Sequence, residues 1–404
     1  MDRRRYQSMK SLLDMDRREF LKVSGVVSAG LLLGSPAAWS QDQKDQKPPE
    51  KPKTNIDDVI GAPRTPFSLP GKFPGKVVEV HDPGAMVDDQ PVAETIDAMF
   101  TRGITGLTGK SPAESFELFF TPDDVVGIKV NPVGGGLINT RHELVDAIIA
   151  WLLAGGLKRG NIIIWDRFDT MLAESGYTPE RYPGIGIEGL QTLDETAIES
   201  EEGDNSGWLD EKGQHVSLGR FDQDVYYWAD VDGPKDNNYL NQHVVNGKYS
   251  YFGKLVTQRL TKIINVPVFK NTGNGISMAT KNLGYGAICN TGRLHRPIFF
   301  DVCTEVLAFP AIRDKLVLNI TDGLRAQYDG GPMPNANFTY IYNTLFFATD
   351  PFASDWVGHR ILVEKRKNMQ VKVDEHPRFT DYLRYAERLG LGVISEDKLE
   401  HVRV

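Results

Sequence analysis

Residues 125–166 read VVGIKVNPVGGGLINTRHELVDAIIAWLLAGGLKRGNIIIWD, and their pattern decides the fold. Val125 to Val130 is an apolar, β-branched run, suited to a strand covered on both faces, and it stops at Asn131. Pro132 to Gly136 form a loop. Thr140 and Glu143 stand at capping-box spacing, with Thr140 as the expected N-cap and Glu143 reaching back to it. Leu144, Ala147, Ile148, Trp151 and Leu152 recur at helical spacing, and Gly155-Gly156 ends the helix. Asn161 to Asp166 is a second apolar strand. Strand, helix and strand in so short a span predict a βαβ crossover with parallel strands.

The alternation continues downstream. Lys262 to Lys270 reads as a strand, with Pro267 marking an edge or an end. The turn Asn271-Thr272-Gly273-Asn274-Gly275 leads into a helix expected from Ile276. Lys315 to Ile320 is a buried-type strand ending at Thr321-Asp322-Gly323, and Leu345 to Thr349 is another, ending at Asp350. Asp350 is placed to cap a helix that Pro351 opens and that runs to about Arg366. A last helix is expected from about Thr380 to Leu389. Upstream, the body starts near Lys76 with the strand Val77 to His81. The expected class is α/β, a mostly parallel sheet with flanking helices built from βαβ units. Residues 180–260 break the pattern: they are polar, with aromatic clusters such as Tyr226-Tyr227-Trp228, and are expected to be a β-rich insertion. Asn246-Gly247, between His243-Val244-Val245 and Tyr249-Ser250-Tyr251, signals a tight hairpin there.

Ahead of the body, Asp16-Arg17-Arg18-Glu19-Phe20-Leu21-Lys22 precedes an uncharged stretch, Val23 to Gly34, and the small residues Ala37-Ala38-Trp39-Ser40. This is the layout of a twin-arginine export signal cleaved near Ser40, with the export machinery as partner and the periplasm as destination. The apolar stretch is well short of the ~20 residues that span a bilayer, so no stable membrane insertion is expected after cleavage. Residues 41–75 are rich in Gln, Lys, Asp and Pro, then in Pro and Gly, and read as a disordered linker that becomes an arm over the domain.

Charge and cysteine content exclude several classes. Residues 1–40 carry seven Lys/Arg and four Asp/Glu, a net of +3, and the whole chain is −8, so the rest is −8 − 3 = −11. An acidic body argues against nucleic-acid binding and against a polybasic membrane patch. The two cysteines, Cys289 and Cys303, are too few to hold a cysteine-ligated iron–sulfur cluster within this chain. A single disulfide and two buried free thiols are both open readings of the pair.

Polar residues recur where apolar strands stop: Asn131, Asp166, Asp322 and Asp350, with Lys129 and Lys270 inside or at the end of such strands. Ligands of open parallel sheets bind outside the carboxyl ends of the strands, so these residues are expected to meet at one crevice. Gly134 and Gly135, ahead of a helix start, are placed to cradle an anion. Lys129, Lys270 and Lys281, with Asn131, are the ligand-binding candidates for a small anionic compound. Asp322 and Asp350 are the acid/base candidates. Asp355 and His359, one helical turn apart, are candidates for a divalent metal together with Asp322 and Asp350. The cofactor is otherwise unknown.

Three segments together resemble a known family: residues 125–167, IINVPVFKNTGNGISMATKNLGYG at 263–286, and the stretch from KLVLNITDGLRAQYDGGP to NTLFFATDPFASDWVGHRIL at 315–362. They look like the uncharacterised family called domain of unknown function 362, as does the closing YLRYAERLGLG. The resemblance implies an α/β fold and places the family pattern on Lys129, Asn131, Lys270, Lys281, Asn282, Asp322, Asp350 and Asp355. Many relatives carry a ferredoxin-type cluster module, which this chain lacks. The expected function is a periplasmic protein binding a small anionic ligand or cofactor, with enzymatic action on it as one form. The alternatives are a non-catalytic accessory or assembly partner of an exported redox enzyme, and a metal-dependent hydrolase.

Overall fold

A computed structural model describes residues 51–191, 220–231, 249–295 and 298–404. The twin-arginine segment and the Asn246-Gly247 turn lie outside the described residues. The strands are β1 (Lys76–His81), β2 (Met86–Val87), β3 (Gln90–Pro91), β4 (Val126–Lys129), β5 (Ile162–Phe168), β6 (Gly186–Gln191) and β7 (Phe221–Trp228). After them come β8 (Tyr249–Gly253), β9 (Lys262–Asn265), β10 (Val268–Thr272), β11 (Gly275–Ser277), β12 (Leu316–Gln327), β13 (Thr339–Ala348) and β14 (Glu400–Arg403).

Ten of these strands form one sheet in the order β14-β1-β13-β12-β9-β4-β5-β6, with β10 joined to β12 and β11 to β10. β4 pairs in parallel with β5 and with β9, so the expected crossover is present. β12–β9, β5–β6, β10–β12 and β1–β14 are parallel as well. β13 runs antiparallel to both β1 and β12, and β11 antiparallel to β10. The fold is therefore α/β around a large, mostly parallel mixed sheet.

Alternate residues of the central strands feed two cores. Ile128, Ile162, Ile164 and Ile264 pack with helices Ala93–Thr108, Pro112–Phe119 and His142–Ala154. Ile163, Trp165 and Ile263 pack with residues of helices Ala279–Gly284, Asp301–Glu305 and Asp381–Arg388. A third core joins Phe269, Ile276, Met278 and Phe346 to helix Pro351–Asn368. Burial on both faces is why these strands read as unbroken apolar runs. Among the described residues, no helix is long and apolar enough to cross a membrane.

Several expectations are corrected. Thr140 does not cap the helix: its hydroxyl accepts from Asn131 N and donates to the Val266 carbonyl, and Arg141 takes the N-cap place without a side-chain cap. Tertiary partners have captured the hydroxyl that spacing assigned to a local bond. The Lys262–Lys270 strand is two strands, interrupted at Val266-Pro267, and the turn after it returns as β11 before the helix begins at Ala279. β12 runs on to Gln327 instead of ending near Asp322. β6 falls inside the stretch expected to be an insertion and extends the main sheet. The insertion does contain β-structure, but β8 pairs with β7. Its expected partner, His243 to Val245, lies outside the described residues. Residues 52–75 are ordered where a disordered linker was expected. Arg313 donates to the carbonyls of Val59, Ala62 and Pro63, and Arg64 to those of Leu69, Leu389 and Gly390. Two guanidinium groups thus add to the anchoring that Ile56 and Leu69 supply by burial in the second core.

Candidate functional site

β4 ends at Lys129, level with Trp165 of β5 on one side and Asn265 of β9 on the other. The next residues of each strand therefore emerge together. Lys129 is buried, and its three ammonium protons are all placed: on Asp166 Oδ1 at 2.5 Å, on the Val130 carbonyl at 2.9 Å and on Asn282 Oδ1 at 3.2 Å. Burial pushes its pKa down, and the Asp166 carboxylate pulls it partly back. Gly286 is packed against this side chain, where an added Cβ would come within 2.6 Å of Lys129 Cε.

Asn282 Oδ1 accepts from Asn131 Nδ2 as well, at 3.0 Å. With its oxygen facing two donors, its Nδ2 must turn away, and it donates to Asn265 Oδ1 at 2.8 Å. Asn265 Nδ2 in turn donates to the Ala279 carbonyl and to Asn319 Oδ1, both at 2.9 Å, and Asn319 Nδ2 to the Thr349 carbonyl. A file of four amides, each with its flip dictated by the one before, thus crosses the sheet from β4 to β12. Asn131 Oδ1 accepts from Lys270 Nζ at 2.9 Å. The structure therefore brings Lys129, Asn131, Lys270 and Asn282 into one hydrogen-bonded cluster with Asp166.

Lys270 is also buried, and among the described residues this is its one hydrogen bond. Burial and then the positive charge of Lys281, opposed by Asp166, together bring its pKa down to about 7. Lys281 is half-buried, with its ammonium 5.4 Å from the ring centre of Tyr285 and 5.5 Å from that of Phe299. Both are within cation–π range, and burial again lowers its pKa. Among the described residues, neither Lys270 nor Lys281 has a carboxylate partner. By contrast, the open cleft beside β6 matches its charges internally, Arg220 with Asp169 and Arg259 with Glu188.

The remaining candidates are placed differently. Gly134 has φ +105°, and its carbonyl accepts from Leu137 N and Ile138 N, while Gly135 is exposed. Arg141 clasps the loop by donating to the Gly136 and Leu137 carbonyls. The Arg141 N–H at the helix start is already taken by Asp322 Oδ2 at 2.7 Å, so the chain's own carboxylate sits where an anion was expected. Asp322 Oδ1 accepts from Leu324 N; burial pushes this carboxyl up to about 6 against those bonds.

Asp350 follows β13, which runs antiparallel to β1 and β12, so it does not share the side on which the parallel strands end. Its oxygens accept four backbone N–H groups, from Phe352, Ala353, Gly75 and Val393. Asp355 accepts from Ala279 N, Thr280 N and the Thr280 hydroxyl, capping the helix that carries Lys281 and Asn282. It thereby positions those two residues. His359 is buried with Nε2 unbonded, and burial holds its imidazole toward the neutral form. Among the described residues, no three His, Cys, Asp or Glu side chains are grouped to hold a metal.

Asn265 and Asn319 are the partners the sequence reading missed. Asn265 carries the same signal as Asn131, a polar residue closing an apolar strand, within Lys262-Ile263-Ile264-Asn265. Arg167, next to Asp166, is buried and donates to the Thr291 hydroxyl, and no sequence pattern singled it out.

No curated protein matches the chain. Among solved structures, the crystal structure of a protein from Thermotoga maritima has 8% sequence identity at a TM-score of 0.32, covering 68% of this chain. This chain spans 59% of that one. Residues 225–360, which hold Lys270, Lys281 and Asn282 but not Lys129 and Asn131, match the model of the family described as Domain of unknown function (DUF362), the family that the chain resembles.

Proposed function

We propose that the chain is an exported protein that binds a small anion through Lys270, Lys281 and Asn131, with Lys129 and Asn282 holding Asn131 and Lys270 in place. The observation that carries this reading is the pair of buried or half-buried lysines with no carboxylate bonded to either among the described residues. Isolated ammonium groups are costly in such surroundings, and a bound anion removes the cost. The position is also the one where open parallel sheets place their ligands. Asn131, Lys281 and His295 are the half-exposed members and mark the way in from solvent.

Calorimetric titration with inorganic phosphate, sulfate and malonate tests the binding. At least one is expected to bind, with Lys281→Met weakening it tenfold or more. No binding of any of the three overturns the reading. Export is supported by Arg17-Arg18 and the uncharged stretch behind them. Replacing both arginines by lysine is expected to leave the protein unexported in fractionated cells, and unchanged export of that variant refutes this part.

A further inference from the structure

Resting on that anion-binding reading, we infer that the ligand is a dianion and that it enters together with a proton, which Lys270 takes up. The charge around Lys270 leads to this. From β4, Lys129 faces the cluster, but its charge is matched by Asp166 of β5. Also on β5, Arg167 donates to Thr291. β12 contributes Asp322, opposite Val268 in the register, and both its oxygens are already taken by Arg141 N and Leu324 N. Lys281 comes from the helix Ala279–Gly284, with His295 beside it across the Tyr285 ring. His295 is held neutral, pushed down to about 4 by burial and then by Lys281.

Lys281 and Lys270 are therefore the two lysines of the site without a bonded carboxylate among the described residues. With the site empty, burial and the charge of Lys281 favour the neutral amine at Lys270, whose pKa lies near 7. A monoanion is matched by Lys281 alone and leaves that amine neutral. A dianion places its second charge against Lys270 and makes the ammonium the favoured form. No covalent bond changes: one proton passes from solvent to the lone pair of Lys270 Nζ as the dianion binds. Asn131 Oδ1 continues to accept one N–H, and the other donors turn to the ligand.

Sulfate is the clean probe, because it stays doubly charged across the working range and any proton uptake belongs to the protein. Calorimetric titration of the full chain at about pH 8, in two buffers of different ionisation enthalpy, counts the protons. The expected result is close to one proton taken up per sulfate, with Kd weakening about tenfold per pH unit above neutrality. Nitrate, a single charge, is expected to bind with no uptake. Lys270→Arg, which carries a fixed charge, is expected to bind sulfate without uptake and without that pH dependence. Sulfate binding with no proton uptake, or with a Kd flat in pH, overturns this inference and leaves the anion-binding reading standing. Failure of sulfate, phosphate and malonate alike to bind overturns both.

Discussion

Replacing Lys270 by methionine is expected to make the protein more stable. The side chain is buried, its one hydrogen bond among the described residues goes to Asn131, and its pKa lies near 7 against an ordinary value of 10.5. Folding at about pH 7 must then strip or strand a proton that the unfolded lysine holds, which costs about 4 kcal/mol. Methionine fills a similar volume without that cost. The variant does leave Asn131 Oδ1 without its donor, a loss of about 1 kcal/mol at a half-exposed group. The net gain is about 3 kcal/mol near pH 7. The sign of the pH dependence follows. Between about pH 7 and 10.5 the unfolded lysine binds more protons than the folded one, so the parent gains stability as pH rises. By about pH 9 the ionisation cost has fallen to about 2 kcal/mol and the gap between the proteins to about 1. Urea unfolding of both proteins at the two pH values, without added polyvalent anions, measures this. A variant less stable than the parent near pH 7, or a gap that does not narrow at the higher pH, refutes the claim that Lys270 sits uncompensated.

Three further outcomes are expected. Asp350→Ala strands four buried backbone N–H groups and should lose about 4 kcal/mol in urea unfolding, while Asp350→Asn, keeping one oxygen, should lose roughly half as much. Gly103→Ala puts a Cβ 2.1 Å from the Phe347 ring and should cost about 2 kcal/mol, although alanine is the better helix former by about 1; a stability equal to the parent's would show that the ring moves aside freely. Cys289 and Cys303 are unpaired and buried, and burial raises both thiol pKa values, that of Cys289 to about 11. Ellman's reagent should find no thiol in the native protein and two after denaturation.

What could be read from the sequence was what local pattern encodes. The βαβ unit at 125–166 was legible because apolar runs, a helical period and glycine stops all agree there. Lys129, Asn131 and Lys270 were legible as a group because parallel strands end on one side, so polar residues in or at the end of such strands share a place, whereas Asn282, on a helix, was marked by the family resemblance alone. Asp350 looked the same in sequence, yet it closes a strand of opposite direction, and strand direction leaves no mark on a run such as Leu345 to Thr349. The Thr140–Glu143 spacing was an adequate cap signal, but Asn131 N and the Val266 carbonyl claimed the hydroxyl. Asn319 was hidden inside an apolar run. Its role depends on Asn265 lying beside it, and that is a property of the register alone.

The sheet order has a consequence for how the molecule comes to be made. β1 is synthesised early, but its neighbours in the sheet among the described residues, β13 and β14, come from the far end of the chain. While the ribosome works through everything between, β1 lacks both strand partners, and Val78 and Val80 have only the helix Ala93–Thr108 to pack on. The half built from β4, β5 and β6 uses near neighbours and can assemble during that interval. Closing the longest loops comes last and is slow, because the entropy of bringing distant residues together must be met before any contact rewards it. A nascent chain that exposes an unpaired apolar strand for so long is a natural client for chaperones, and β1 is the segment they would be expected to hold.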